Sequence, residues 1–242
     1  MSNYCTTLRI ADTLGDEMTF EFLVEDNSGS VLLNWIMTHY TREHIKNIEY
    51  SIHAYKGIGG FPVGKKPREA KSEKLLNDLP KRMRAIQAKY RYMQGEDYAL
   101  FIVVDNDDRD TESFRNELRL VAEKNCIKMD YVFCIAIEEM EAWLLGDYEA
   151  IKMAYPELKD RFLSKYSSYV QDSICDTWEF LADLLTAGGK KEFFETHRTV
   201  FEIGKKKEEW ADKIGEVMDI RHNNSPSFNL FMCEMDRRMH EA

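Results

Sequence analysis

Acidic side chains in this chain directly follow short apolar runs. Glu25 follows the run 20–24, Asp105 and Asp107 follow the run 99–104, and a third acidic group follows the run 131–137. Short apolar runs bounded by polar residues are typical of buried parallel strands. Because ligand sites of open α/β sheets lie at the carboxyl ends of such strands, we expect these acidic groups to meet in one site.

Several carboxylates gathered in one site favour the binding of a cation. Two carboxylates about 4 Å apart repel each other by about 4 kcal/mol at an effective dielectric constant near 20. Such residues would take up protons or bind a cation, and hard oxygen ligands suit Mg²⁺ or Mn²⁺. We therefore predict a divalent metal site with the candidate ligands Glu25, Asp105, Asp107, Glu138 and Glu141.

Each acidic group also has a simpler interpretation. Asp108 and Asp110 fit a solvated turn that caps the following helix. Glu25 alone fits a surface or capping residue, and it becomes a ligand or general base only beside the Asp-x-Asp pair. Glu138 falls in a predicted first helical turn, where the helix dipole favours acidic residues, and it shares a helical face with Glu141.

A basic stretch interrupts this acidic chain. Residues 65–91 hold ten basic and three acidic side chains, although the formal net charge of the chain is −10. Such a stretch could bind a phosphate backbone, but a solvated helix face explains it equally well. The candidates for nucleic-acid binding lie in and after the glycine-rich loop 56–60, and they are Lys56, Lys65, Lys66, Arg68 and Lys71. The loop does not follow the GxxxxGK[ST] order of an ATP-binding P-loop.

Composition and charge limit the class of protein. A hydrophobic content of 44% in 242 residues supports a packed core. A pI of about 5.2 argues against nucleic-acid binding through the overall field of the protein. The five cysteines are scattered, which favours a reducing cytoplasm over a disulfide or zinc framework. No apolar stretch approaches the roughly 20 residues of a membrane helix, so we expect a cytoplasmic protein without membrane contact.

The elements that must position the acidic residues alternate along the chain. Strands are predicted at 18–24, 48–54, 99–104 and 131–137, with helices between them. This order predicts an α/β fold with a mostly parallel sheet flanked by helices. Beyond residue 138 the periodicity is helical, with helices predicted at 139–154, 174–187, 206–219 and 226–240. We predict an α/β core at 1–145, with an edge strand within 1–17, and a helical extension at 146–242.

The order Glu, Asp-x-Asp, Glu resembles that of Toprim-type metal-dependent nucleases. The resemblance is closer still to the small Toprim-like proteins that accompany ATPases in bacterial anti-phage defence loci. It is carried by the segments Phe22–Glu25, Val104–Asp110, Glu141–Leu145 and Ser225–Phe228. One residue departs from the family pattern, because Asp26 stands where Gly is usual.

The resemblance implies a Toprim/Rossmann-like sheet and a Mg²⁺- or Mn²⁺-dependent nuclease acting on DNA or RNA. Glu25, Asp105 and Asp107 would be catalytic, and Glu141 with Glu138 would complete a second metal position. The resemblance implies an ATPase as partner, whereas the homodimer is an open alternative that rests on a free helical edge and on aromatic residues such as Trp210 being exposed. Two alternatives stay open: a phosphatase that uses Asp105 as nucleophile and does not require Glu25, and a non-catalytic subunit that docks on an ATPase.

Overall fold

The chain folds around a four-stranded parallel sheet. A computed structural model of the protein describes residues 17–45, 47–61, 74–91, 97–107, 109–137, 139–158, 164–173 and 176–240. The strands are β1 (Glu17–Val24), β2 (Asn47–Ala54), β3 (Asp97–Asp105) and β4 (Tyr131–Ala136), in the order β2-β1-β3-β4. All neighbouring strands run parallel, so their carboxyl ends lie at one edge of the sheet.

Helices connect the strands and follow the last of them. The connecting helices are α1 (Asn27–Glu43), α2 (Leu75–Tyr90) and α3 (Thr111–Lys124). After β4 come α4 (Glu141–Leu145), α5 (Tyr148–Ala154), a 3₁₀ turn (Pro156–Leu158), α6 (Thr177–Leu185), α7 (Gly189–Thr196), α8 (Val200–Val217) and α9 (Pro226–His240). Within the described residues, no helix combines the length and apolar character needed to span a membrane.

The two faces of the sheet bury two hydrophobic layers. Side chains alternate between the faces along each strand. Phe20 and Phe22 of β1 therefore belong to the layer under α1, whereas Leu100 and Ile102 of β3 belong to the layer under α2 and α3. The predicted fold class is confirmed, since the sheet is parallel and flanked by helices in the manner of Rossmann- and Toprim-like folds.

The helices after residue 145 share the hydrophobic layer under α1. The ring of Phe231 in α9 lies 5.6 Å from that of Phe101 and 5.0 Å from that of Trp143, measured between ring centroids. All three side chains are almost fully buried. The C-terminal helices therefore pack on the sheet, and the division into units at residue 145 stays a prediction.

Helix boundaries differ from the sequence prediction where a side chain caps the backbone. Helix α1 begins near Asn27 because Asp26 accepts a hydrogen bond from the backbone N–H of Gly29. The predicted helix 139–154 is divided in two, because Asp147 caps the start of α5. Helix α8 begins at Val200 with a capping box, and α7 was not predicted. The edge strand predicted within 1–17 lies outside the described residues, apart from its last residue, which begins β1.

Candidate metal centre

Glu25 and Asp105 project from neighbouring strands at the same edge of the sheet. Glu25 directly follows β1, and Asp105 is the last residue of β3. The register pairs Val24 with Val103, so the two acidic residues lie within one step of each other along the strands. The loop after β2 is held beside them, because the backbone N–H of Gly57 donates to the carbonyl oxygen of Glu25 over 2.8 Å.

Asp105 is held in one orientation by the turn before α4. Its Oδ1 accepts a hydrogen bond from the backbone N–H of Met140 over 3.0 Å. Burial, and next the charge of Glu25, raises the pKa of Asp105 well above its usual range, while Lys207 acts in the opposite direction. Asp105 therefore carries its charge at an electrostatic cost that a cation could relieve.

Glu25 combines a raised pKa with an unsatisfied oxygen. Burial, and next the charges of Asp107 and Asp26, raises the pKa of Glu25 to about 7. Backbone hydrogen bonds from Ile58 and Asp105 offset part of this shift. Among the described residues, the buried Oε2 of Glu25 has no hydrogen-bond partner. A buried carboxylate oxygen without a donor is costly, and it marks a position where a cation would be stabilising.

Asp107 lies near Glu25, but its carboxylate is turned towards Arg109. The Nη1 atom of Arg109 donates to Oδ2 of Asp107 over 2.7 Å, and the Asp107 side chain is 43% exposed. Asp107 has a φ of 50°, a left-handed conformation that is uncommon for residues other than glycine. It therefore acts on Glu25 through its charge while its own carboxylate has a partner.

Asp26 has a structural role at the start of α1. Its carboxylate accepts from the backbone N–H of Gly29 over 2.8 Å and from the hydroxyl of Ser28 over 2.9 Å. Its charge also raises the pKa values of Glu25 and Asp105. Asp26 thus caps a helix and adds to the negative potential of the site.

A lysine that the sequence analysis did not assign to the acidic site, the last of the three consecutive lysines at 205–207, enters the site from α8. The Nζ atom of Lys207 lies 3.2 Å from Oε1 of Glu141 and 3.8 Å from Oε1 of Glu139. Only 14% of the Lys207 side chain and 3% of the Glu141 side chain are exposed. Burial raises the pKa of Glu141 to about 7 against the opposing effect of Lys207. Burial alone would lower the pKa of Lys207, but Glu141, Glu139 and Asp105 together raise it.

Glu139 caps a helix, but not the helix that it precedes. Its Oε2 accepts from the hydroxyl of Thr177 over 3.1 Å and from the backbone N–H of Trp178 over 3.2 Å, at the start of α6. A carboxylate at this position satisfies an N–H group at a helix end. Glu139 therefore ties the turn after β4 to the C-terminal helices.

The predicted basic residues are only partly within the described structure. Lys56 is exposed in the loop after β2, at the same edge of the sheet as Glu25. Lys65, Lys66, Arg68 and Lys71, and the acidic candidate Glu138, lie outside the described residues. Within α2, Lys89 forms an ion pair with Glu21 over 2.6 Å, so this member of the basic stretch has a structural partner.

The donor atoms fit one hydrated Mg²⁺ or Mn²⁺ ion better than a closed protein cage. In the described part of the chain, no group of three or more His, Cys, Asp and Glu side chains is arranged to hold a metal ion. Mg²⁺ keeps several waters and is usually bound through one or two carboxylates. The hard oxygens of Glu25 and Asp105, one of them without a hydrogen-bond donor, satisfy that requirement.

Lys207 could have been found from helical spacing. Ile203, Lys207, Trp210 and Ile214 stand four, three and four residues apart, which places them on one face of a helix. Trp210 and Ile214 are buried in the core. A lysine on an apolar helix face requires an internal acidic partner, whereas membership of a basic triplet suggests exposure.

Comparisons with protein-family models, with curated proteins and with solved structures gave no match. The geometry of the site itself therefore carries the functional interpretation.

Proposed function

We propose that this chain is a Mg²⁺- or Mn²⁺-dependent phosphodiesterase that cleaves DNA or RNA. The observation that supports this function best is the pair of carboxylates at the ends of β1 and β3. Burial, and next the charge of Glu25, raises the pKa of Asp105, and Glu25 keeps a buried oxygen without a partner among the described residues. A divalent ion is the ligand that relieves both penalties at once.

The side chains at this edge would have different roles in phosphodiester hydrolysis. Glu25 and Asp105 would hold the ion, and the hydrogen bond from Met140 orients Asp105 for that role. When bound, the ion would polarise the scissile phosphate and lower the pKa of an attacking water. Lys56, exposed at the same edge, would contact the phosphate backbone of the substrate.

The resemblance to Toprim-like proteins extends this proposal to a biological setting. The chain would act in the bacterial cytoplasm as an anti-phage defence effector, together with an ATPase partner. The family motifs at Glu25, at Asp105–Asp107 and at Glu141–Leu145 support this setting.

The test is cleavage of supercoiled plasmid DNA and of tRNA with Mn²⁺, with Mg²⁺ and with EDTA. We expect wild-type cleavage that requires the metal and falls at least about 100-fold in Glu25→Gln and in Asp105→Asn. Glu123→Gln is the matched control, because it neutralises an exposed carboxylate near the end of α3, at the opposite edge of the sheet. Its activity should equal that of the wild type.

The same measurements separate the alternatives. A phosphatase with Asp105 as nucleophile would hydrolyse a phosphomonoester such as p-nitrophenyl phosphate and would keep most of that activity in Glu25→Gln. A non-catalytic subunit would leave both nucleic acids intact with either metal. Either result would contradict the proposed nuclease.

A further inference from the structure

Lys207 is buried beside two carboxylates, Glu139 and Glu141, in the turn and helix that follow β4. Its Nζ atom approaches Oε1 of both Glu141 and Glu139, and it also lies 5.9 Å from the ring centroid of Trp178. The apolar wall and the low exposure of the lysine shield this ion pair from solvent screening. The ammonium is therefore a fixed charge of the site.

Lys207 neutralises the charges of Glu139 and Glu141, the carboxylates of the acidic cluster that lie next to it. Six carboxylates influence one another here, and they are Glu25, Asp26, Asp105, Asp107, Glu139 and Glu141. In the described part of the chain, Lys207 is the basic side chain that acts on both Asp105 and Glu141. A second metal ion bound to Glu141 would have to lie beside this ammonium group.

A divalent ion bound to Glu141 would lie close to an ammonium group, and the two cations would repel each other. The metal would sit about 2.0–2.6 Å from a carboxylate oxygen, and Nζ of Lys207 already lies 3.2 Å from Oε1 of the same carboxylate. If Lys207 moved away to avoid this repulsion, it would become a buried ammonium without a partner, which is strongly unfavourable.

We propose that Lys207 takes the place of a second metal ion, so that the site binds a single divalent ion at Glu25 and Asp105. This inference rests on the proposed metal-dependent function. It assigns Glu141 to the ion pair and removes it from the metal ligands. Lys207 is then a positioning residue that neutralises Glu139 and Glu141, so that the carboxylates of Glu25 and Asp105 are the ones that bind a metal.

The test is the stoichiometry of Mn²⁺ binding to the full chain, measured by calorimetry and by the EPR signal of free Mn²⁺ at neutral pH. The wild type should bind one Mn²⁺ ion. Lys207→Met should bind two, because Glu139 and Glu141 are left without their cation. Lys205→Met is the matched control, since this lysine of the same helix pairs with Glu208 on the surface with 58% of its side chain exposed, and it should bind one ion.

Glu141→Gln provides a second, independent measurement if Lys207→Met does not fold, as judged by circular dichroism. It should still bind one Mn²⁺ with an affinity within about threefold of the wild type. Two ions in the wild type, one ion in folded Lys207→Met, or a tenfold loss of affinity in Glu141→Gln would each overturn the inference and leave the nuclease proposal standing. A wild type that binds no Mn²⁺ would overturn both.

Discussion

The backbone N–H of Met140 donates a hydrogen bond to Oδ1 of Asp105 over 3.0 Å, which fixes the last residue of β3 to the turn before α4. The bond holds the carboxylate of Asp105 in a place where other carboxylates act on it. The pKa of Asp105 is raised by burial, then by Glu25, Glu141 and Asp26. We therefore expect the charge of Asp105 to lower stability in the metal-free chain, as is common where a site is arranged for a ligand.

The first prediction concerns the neutral isostere at this position. Asp105→Asn keeps an oxygen that can accept from Met140 but removes one charge from the cluster. We expect the metal-free variant to gain about 1 kcal/mol, or about 2–4 °C in Tm for a chain of this length, while metal-dependent cleavage is lost. Thermal unfolding in EDTA measures the gain, with Glu123→Gln expected within about 0.5 kcal/mol of the wild type. A lower Tm in Asp105→Asn would show that the carboxylate is a net stabilising group.

The second prediction concerns Glu21, a buried carboxylate in the middle of β1. It accepts hydrogen bonds from Nζ of Lys89 over 2.6 Å, from the Tyr90 hydroxyl over 2.7 Å and from the Ser51 hydroxyl. Burial alone would raise the pKa of Glu21, but the hydrogen bonds from Lys89, Ser51 and Tyr90 outweigh it and hold the pKa below its usual value. Hydrogen bonds to a buried charge contribute about 1.5–3 kcal/mol each, so we expect Glu21→Gln to cost about 2 kcal/mol at pH 7.

The sign of the pH dependence follows from the lowered pKa. A carboxylate whose folded pKa is depressed contributes stability at pH values above its unfolded pKa of about 4.3 and loses it as the pH falls through the folded value. The difference in unfolding free energy between wild type and Glu21→Gln should therefore be full at pH 6–7 and should shrink below about pH 4. Urea unfolding of the wild type and of Glu21→Gln at pH values from 7 to below 4 measures this difference. Glu49→Gln is the control, because Glu49 is an exposed residue of β2. A difference that grows as the pH falls would contradict this assignment.

The strands could be predicted from sequence because burial on both faces leaves a continuous apolar run. The run 99–104 became β3 at Asp97–Asp105, and the alternation at 48–54 became the edge strand β2. The helix predicted between the second and third strands is α2, and apolar residues at helical spacing from Leu75 to Tyr90 form its buried face. Strands and helices can be predicted in this way because the residues that form each element are neighbours in the sequence.

Ion pairs between distant segments could not be predicted in this way. Lys207 and Glu141 are 66 positions apart, and Lys89 and Glu21 are 68 apart. Lys89 was counted with a phosphate-binding or solvated surface, and the structure gives it a carboxylate of β1 as partner. A lysine's surroundings depend on which helix packs above which strand, and composition does not contain that information.

The third prediction concerns Asp107 and separates its charge from its backbone conformation. Both Asn and Gly tolerate the positive φ of this residue, and Gly tolerates it best. Its ion pair with Arg109 is partly exposed, so removing it should cost little stability. If the carboxylate assists metal binding, Asp107→Asn and Asp107→Gly should lose Mn²⁺ affinity to the same extent, by about tenfold or 1.4 kcal/mol. Calorimetry measures the Mn²⁺ affinity of each variant. If the affinity were unchanged in both, Asp107 would not be a metal ligand.

The last prediction concerns the close packing of α1 against the site. A Cβ atom on Gly29 would lie 2.6 Å from Cγ2 of Val24 and 2.7 Å from Sδ of Met140. Val24 precedes Glu25 in the chain, and Met140 holds Asp105, so relief of either clash would move a carboxylate of the site. We expect Gly29→Ala to cost about 1–3 kcal/mol in unfolding free energy and to lower metal-dependent cleavage.

Gly204 is the matched control for Gly29→Ala, because it lies inside α8 and a Cβ there meets no atom within 4 Å. Alanine in an exposed helix interior is more stable than glycine by about 0.5–1 kcal/mol. Gly204→Ala should therefore raise Tm and keep wild-type cleavage, while Gly29→Ala lowers both, in parallel thermal unfolding and plasmid assays. If Gly29→Ala had the same Tm and cleavage activity as Gly204→Ala, the prediction would be wrong. The close packing of α1 against Val24 and Met140 would then have no part in positioning Glu25 and Asp105.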